Sequence, residues 1–167
     1  MSKILPLQLK DLIYPAISVE AVPMGQDEYS KIANTNEFDP EAISIGFRFE
    51  HEAGSDRASA GMSINTKESG VGDGAPYMIK VKAFAVFSVP MPEANDTSAL
   101  RVRRYAAAAA LMGAIREQIA TLTSRGPWGT AWLPLGNLEA IAEPPKPSPE
   151  KSAKPAAKKA AAAKKAK

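Results

Sequence analysis

The segment YMIKVKAFAVFSV, residues 77–89, has the strongest strand pattern of the chain. Apolar side chains occupy every second position, the period of a β-strand with one buried face. The residues on this face are Tyr77, Ile79, Val81, Ala83, Ala85, Phe87 and Val89. The other face carries Met78, Phe84 and Val86 beside Lys80 and Lys82. Because a strand that is apolar on both sides is covered on both sides, we expect a helix or another subunit over part of this second face.

Three further segments have weaker strand patterns. They are AISVEAV (16–22), AISIGFRFEHE (42–52) and ASAGMSINTKE (58–68). Short glycine-containing connections at 53–56 and 69–76 separate the later strands and are typical of turns and loops. The sequence therefore predicts four strands in which successive side chains point alternately to the core and to the opposite face of the sheet.

A long helix is predicted to follow the sheet, from about Ser98 to Ser124. Its apolar residues recur at three- and four-residue spacing, at Leu111, Met112, Ile115, Ile119 and Leu122. Gly126 and Pro127 end it, and Asn137 is a plausible N-cap of a short last helix. The fold class is α+β: a four-stranded antiparallel sheet with one long and one short C-terminal helix on one face. The limited core of such a sheet favours oligomerisation.

The C-terminal segment differs in composition from everything before it. Residues 144–167 contain eight lysines and one acid, so the net charge of this tail is +7. Because the formal net charge of the whole chain is +3, residues 1–143 carry −4. The tail has no apolar residue larger than Ala or Pro, so we expect it to be disordered. Two roles stay open: a solubilising spacer, or a salt-sensitive attachment to nucleic acid. We therefore predict a folded domain at 1–143 and a disordered tail at 144–167.

Composition also indicates the compartment. The chain has no cysteine, so it has neither a disulfide framework nor a cysteine-ligated metal. The first residues, MSKILPLQLKDLIYP, lack the uninterrupted apolar run and cleavage site of a signal peptide. No window approaches the roughly 18 apolar residues of a membrane span. The expectation is a soluble, cytoplasmic protein without a membrane partner.

Residue patterns of enzymes are weak in this chain. The single histidine, His51, stands at the end of a predicted strand between two glutamates that point to the opposite face. The glycine-rich SGVGDG (69–74) lacks the Lys-Ser/Thr of a phosphate-binding loop and precedes a strand. We therefore expect no catalytic residues, no metal and no cofactor.

Both tryptophans lie in LTSRGPWGTAWLPLGNL, residues 122–138, which two prolines and three glycines exclude from regular structure. Two interpretations of this segment stay open. Its apolar side chains, together with Phe38, either cap the sheet and fill the core, or line a groove. A groove rich in aromatic residues would bind an extended apolar peptide by area, with little sequence readout.

The extended segment LTSRGPWGTAWLPLGNLEAI, residues 122–141, resembles the end of the long helix and the next loop in the SecB export-chaperone family. There, Ser-Arg-Gly at the helix end precedes an aromatic residue, an apolar run, a proline, an apolar residue and an asparagine. Other similar pieces occur in the same order: AISVEA (16–21), FDPEA (38–42), FSV (87–89) and REQIATLTSRG (116–126). The resemblance covers about residues 5–143, and the tail has no counterpart.

The resemblance implies an ATP-independent molecular chaperone. Family members are homotetramers, dimers of dimers, that bind unfolded or slow-folding polypeptides in long apolar grooves and pass them to the translocation motor SecA. The residues that match a groove are Phe38, Trp128, Trp132, Leu133, Leu135, Leu138 and Ile141.

The family docks its motor's basic segment through acids on the sheet, and Glu20 matches one of them. Ala16 and Lys80 stand where the family has the others, and a lysine repels a cation that an acid attracts. A SecB-like chaperone with another client, such as an antitoxin or a phage protein, fits the sequence equally well. The alternative function is a scaffold or virion-associated binding protein of the same fold, whose basic tail contacts nucleic acid.

Overall fold

The computed structural model describes residues 7–25, 27, 30, 38–51, 54–67, 75–89 and 97–143. The strands are β1 (Gln8–Ala21), β2 (Ile43–His51), β3 (Arg57–Thr66) and β4 (Tyr77–Ser88), and the helices are α1 (Thr97–Thr123) and α2 (Leu138–Ala142). The four strands form one antiparallel sheet in the order β1-β4-β3-β2. The predicted α+β architecture is confirmed; the predicted tail lies outside the described residues.

β4 occupies the inside of the sheet, between β1 and β3. All seven side chains predicted to share its buried face are buried, and the cross-strand neighbours Met62 and Ile64 on β3 are buried with them. The long helix α1 packs against this face through Ala107, Leu111 and Ile115, at the four-residue spacing of one helical stripe. The core therefore lies between one face of the sheet and α1.

The predicted stripe of α1 is wrong at one position. Leu122 is 44 % exposed, whereas its neighbour Thr123 is fully buried. Ile119 is buried, and the residue four places after it, not three, turns toward the sheet at the end of the helix. The apolar residue was expected inside because of its chemistry, but Thr123 takes the buried position.

β1 is longer than predicted, because it begins at Gln8 and the predicted strand begins at Ala16. The predicted segment begins directly after Pro15, and a proline cannot donate a ladder hydrogen bond. The structure tolerates this proline in two ways. β1 is an edge strand, and its pairing with β4 is shifted between Ile13 and Ala16, where a bulge accommodates Tyr14 and Pro15.

The short helix α2 is fixed at both ends. The Asn137 side chain accepts a hydrogen bond from the Ala140 backbone N–H at 3.1 Å, as predicted for an N-cap. At the other end, Arg104 of α1 donates from Nε to the Ala142 carbonyl oxygen at 2.7 Å and from Nη2 to that of Glu143 at 3.3 Å. The guanidinium carbon also lies 5.9 Å from the ring centroids of Phe47 and Phe49 on β2. Arg104 therefore joins α1, α2 and the sheet.

Replacing Arg104 by methionine is expected to lower the free energy of unfolding by about 1–2 kcal/mol. Methionine keeps much of the apolar stem but cannot bond to the carbonyl oxygens at the end of α2. Urea denaturation measures the change, and hydrogen exchange should show faster exchange in α2 than in α1. The exposed Arg101 on the same helix supplies the control, because Arg101→Met removes the same charge. Equal effects of both variants would contradict a specific contact.

Candidate functional site

The tryptophan-containing loop between α1 and α2 is anchored by a buried tyrosine. The Tyr77 hydroxyl donates to the Gly129 carbonyl oxygen at 2.9 Å and accepts from the Trp128 backbone N–H at 3.2 Å. Its ring is almost fully buried at the start of β4. Gly126 lies against it, and a Cβ at that position would come within 3.0 Å of the Tyr77 ring. The sheet thus determines where the loop begins.

A second anchor is the hydroxyl of Thr123, which is fully buried. It donates to the Ile119 carbonyl oxygen at 2.8 Å and accepts from the Ala131 backbone N–H at 2.9 Å. Because a buried N–H without a partner is costly, this contact holds the middle of the loop against the end of α1. The hydrogen bond from Ala131 therefore explains why a polar side chain occupies this buried position.

The two tryptophans have different environments. The Trp128 indole N–H donates to the Val22 carbonyl oxygen at 2.9 Å, and the half-buried ring packs against the core. Trp132 is 42 % exposed. The first side chain thus ties the loop to the end of β1, and the second leaves a large apolar surface open to solvent.

Two of the predicted groove residues lie in the core. Phe38 is 1 % exposed, and Leu133 is fully buried. The Phe38 backbone N–H donates to the Trp132 carbonyl oxygen at 3.0 Å, which joins the segment before β2 to the tryptophan loop. In this conformation the two side chains support the loop from inside and offer no surface to a bound peptide.

The other predicted residues lie nearer the surface. Leu135 is 61 % exposed, and Leu138 and Ile141 are half-buried against the core. Gly136 between them has φ +62°, a conformation that favours glycine. A Cβ at Gly136 would lie 3.5 Å from Cδ1 of Ile141 and 3.9 Å from Cδ1 of Ile45. The turn therefore lies over α2 and β2 and exposes Leu135 beside them.

An open surface depression of about 570 Å³ lies between Trp132 and α1. Trp132 and Thr130 line its loop side, and Gly113, Arg116, Glu117 and Ala120 line its helix side. Arg116 Nε is buried and has no hydrogen-bond partner among the described residues. This depression combines an apolar wall with a few polar groups, which suits an apolar side chain and the polar backbone that carries it.

Two other residues considered from the sequence lie away from this loop. Glu20 is exposed on the sheet face opposite α1, where its carboxylate accepts from the Ser18 hydroxyl at 3.1 Å. His51 ends β2, and its Nε2 lies 3.1 Å from the Ser55 carbonyl oxygen. Within the described ranges, no three or more His, Cys, Asp or Glu side chains are grouped so that they could hold a metal ion.

The helices that the structure describes include none with the length and apolar character needed to cross a membrane.

Sequence reasoning missed the side chains that hold the loop in place. Tyr77 was read only as one of seven core positions, and Thr123 and Arg104 were not singled out. The contacts of Tyr77 and Arg104 link positions 38 to 52 residues apart, such as Arg104 with Ala142 and Tyr77 with Gly129. Those of Thr123 are with Ile119 and Ala131, four and eight positions away. For Tyr77 the local signal is a polar atom on a side chain at a position that the periodicity assigns to the core, and the periodicity gives no such signal for Thr123 or Arg104.

No protein-family model matches the chain, and no curated protein matches it. Among solved structures it is similar to a SecB-like chaperone of Mycobacterium tuberculosis in complex with a ChAD peptide from the HigA1 antitoxin. The two chains are 16 % identical, the match covers 78 % of this chain and 88 % of the other, and the TM-score is 0.46. At this level of sequence identity, the similarity does not assign a role to any residue of this chain.

Proposed function

We propose that this protein is a molecular chaperone that binds non-native polypeptide segments on the apolar surface around Trp132 and Leu135. One observation carries the proposal: Trp132 stays exposed in a loop that buried hydrogen bonds hold in place. Folding would gain more from burying this indole, since buried apolar surface contributes about 25 cal/mol per Å². An anchored loop with an exposed aromatic side chain is instead suited to bury that surface against a ligand.

The proposed mode of binding is non-specific. Leu135 extends the exposed surface, and the half-buried Leu138 and Ile141 border it on α2. Side chains that bind by apolar area distinguish an unfolded chain, which exposes such area, from a folded one, which does not. Binding of this kind requires neither ATP nor a metal, so release of the client follows from the client's own folding or transfer.

The proposal includes self-association. On α1, Leu100, Val102 and Tyr105 are exposed apolar or aromatic side chains near its first turns. A second copy would bury this surface, and an assembly such as a tetramer would present several client-binding loops to one extended polypeptide. Delivery to an export motor does not belong to the proposal, because Lys80 beside Glu20 disfavours a basic docking segment.

The test is a fluorescence titration of the full chain with a permanently unfolded polypeptide that lacks tryptophan, and with the same polypeptide folded. We expect a saturable change with the unfolded form only. Trp132→Ser should weaken the binding about tenfold, measured by anisotropy of the labelled client. Leu9→Ser is the matched control, because Leu9 is also an exposed large apolar residue but lies on β1.

High salt separates this function from binding through the lysine-rich tail. Apolar binding should persist in high salt, whereas attachment of residues 144–167 to nucleic acid or to an acidic client should weaken steeply. The proposal is wrong if an unfolded client binds the wild-type protein and Trp132→Ser with equal affinity. It is also wrong if the client dissociates in high salt.

A further inference from the structure

The sheet has a second surface, on the side turned away from α1, which we call the open face. Along β4 it carries Lys80, Lys82, Phe84 and Val86 in succession, and these four residues are termed the lysine strip. Phe84 is 38 % exposed, and Met78 before the strip is 45 % exposed. The sequence led us to expect a covering layer here, and no residue that the structure describes supplies one.

The side chains on the two neighbouring strands determine how far the lysine strip projects from the open face. On β3 the cross-strand partners of Phe84, Lys82 and Lys80 are Gly61, Ser63 and Asn65. On β1, Ala16 and Ser18 lie opposite Lys82 and Lys80. Short side chains thus flank both lysines and leave a shallow floor beside them, whereas Ile13, which is 49 % exposed, lies opposite Phe84 on β1 and adds to its apolar surface. A partner segment can therefore lie flat along the strip.

The charges of the strip are not compensated by any residue that the structure describes. The ammonium groups of Lys80 and Lys82 form no hydrogen bond and no ion pair with any part of the chain that the structure describes. They lie on one face of one strand at spacing two, which places their backbones about 7 Å apart. The acid closest to them in the register is Glu20, which pairs with Met78 and accepts the Ser18 hydroxyl. Two adjacent uncompensated cations therefore favour an anionic partner.

We propose that the lysine strip docks an acidic segment of a partner polypeptide, with acidic side chains over Lys80 and Lys82 and an apolar side chain on Phe84. An extended segment matches the strip in length, since residues 80–86 span about 20 Å. Alternate side chains of such a segment share one face at the spacing of the two lysines. This surface is separate from the tryptophan loop, so the docking does not depend on the proposed client binding.

A polypeptide fits the open face better than a nucleic acid. Phe84, Val86 and Met78 offer apolar contact beside the charges, and the acid Asp11 lies opposite Val86 on the same face. Glu20 on β1 and Glu50 on β2 would repel a continuous phosphate backbone, although Glu50 is paired with Arg48. A peptide can place its few carboxylates over the lysines and its apolar side chains elsewhere.

The test measures anisotropy of a fluorescein-labelled octapeptide added to the full chain at low salt. The peptide has Glu at positions 1 and 3, Leu at positions 5 and 7 and Ser between them, so that its Glu and Leu side chains share one face when it is extended. We expect the double variant Lys80→Gln and Lys82→Gln to raise the dissociation constant about tenfold. The matched control is Lys158→Gln with Lys159→Gln, which removes the same charge from the tail. Phe84→Ser should weaken the Glu-Leu peptide but not a peptide with Ser in place of Leu.

Each contrary result is informative. If the tail variant and the strip variant weaken binding equally, the peptide senses net charge only and the proposal fails. It fails too if a labelled single-stranded oligonucleotide binds more tightly than the peptide and its affinity depends on Lys80 and Lys82, because the open face is then a nucleic-acid binding surface. Circular dichroism verifies that the variants fold. The single Lys82→Thr variant, which keeps a strand-forming residue, repeats the measurement should the double variant unfold.

Discussion

Replacing Phe38 by alanine is expected to lower the free energy of unfolding by about 3–5 kcal/mol, the cost of removing a buried phenyl ring from a packed core. The ring is 1 % exposed and belongs to the same core cluster as Leu133 and Phe87. Since domains of this kind are stable by about 5–15 kcal/mol, the variant should be at the margin of folding at room temperature. Urea denaturation gives the change directly.

The control for this prediction is Leu135→Ala, because Leu135 was assigned to the same groove but is mostly exposed. Its expected effect on stability is within about 0.5 kcal/mol. The sequence-based hypothesis that Phe38 lines the groove makes the opposite prediction. A Phe38→Ala protein that keeps its stability but binds the unfolded client more weakly would place Phe38 at the client surface instead of in the core.

The architecture could be predicted from local patterns because each element is amphipathic with its own period. The alternation in residues 77–89 predicts both faces of β4, and the alternation in residues 43–49 predicts β2. Asn137 likewise indicates where α2 begins, and its side chain makes the expected cap. These features depend on neighbours within a few residues, and such dependence is visible in sequence.

The prediction fails where distant contacts decide the outcome. β1 extends through Pro15 only because it is an edge strand with a bulge, and neither property is encoded locally. Within the candidate site, burial separates Phe38 and Leu133 from Trp132 and Leu135 although all four are large and apolar. Residue type and spacing do not make this distinction, because it depends on whether each side chain faces the core or the solvent in the folded chain.

The loop anchor leads to the second large effect, which we expect from Tyr77→Phe. This substitution keeps the buried ring but removes the hydroxyl that donates to Gly129 and accepts from Trp128. Two backbone groups then lose a partner, so the free energy of unfolding should fall by about 1–3 kcal/mol. Tyr105→Phe is the matched control, since Tyr105 is exposed, and its expected change is within about 0.5 kcal/mol.

The effect of Tyr77→Phe should reach beyond stability, because the hydroxyl positions the segment that leads to Trp132. Hydrogen exchange at the Trp128 N–H should accelerate, and the unfolded client should bind more weakly although every apolar side chain is still present. Thr123→Val tests the same idea at the other anchor, since valine keeps the shape but leaves the Ala131 N–H without its acceptor. If both variants lose stability but retain full client affinity, exposed apolar area alone explains binding and the anchored geometry of the loop has no part in it. If affinity falls with Trp132 unchanged, the chaperone function depends on holding that indole in one place.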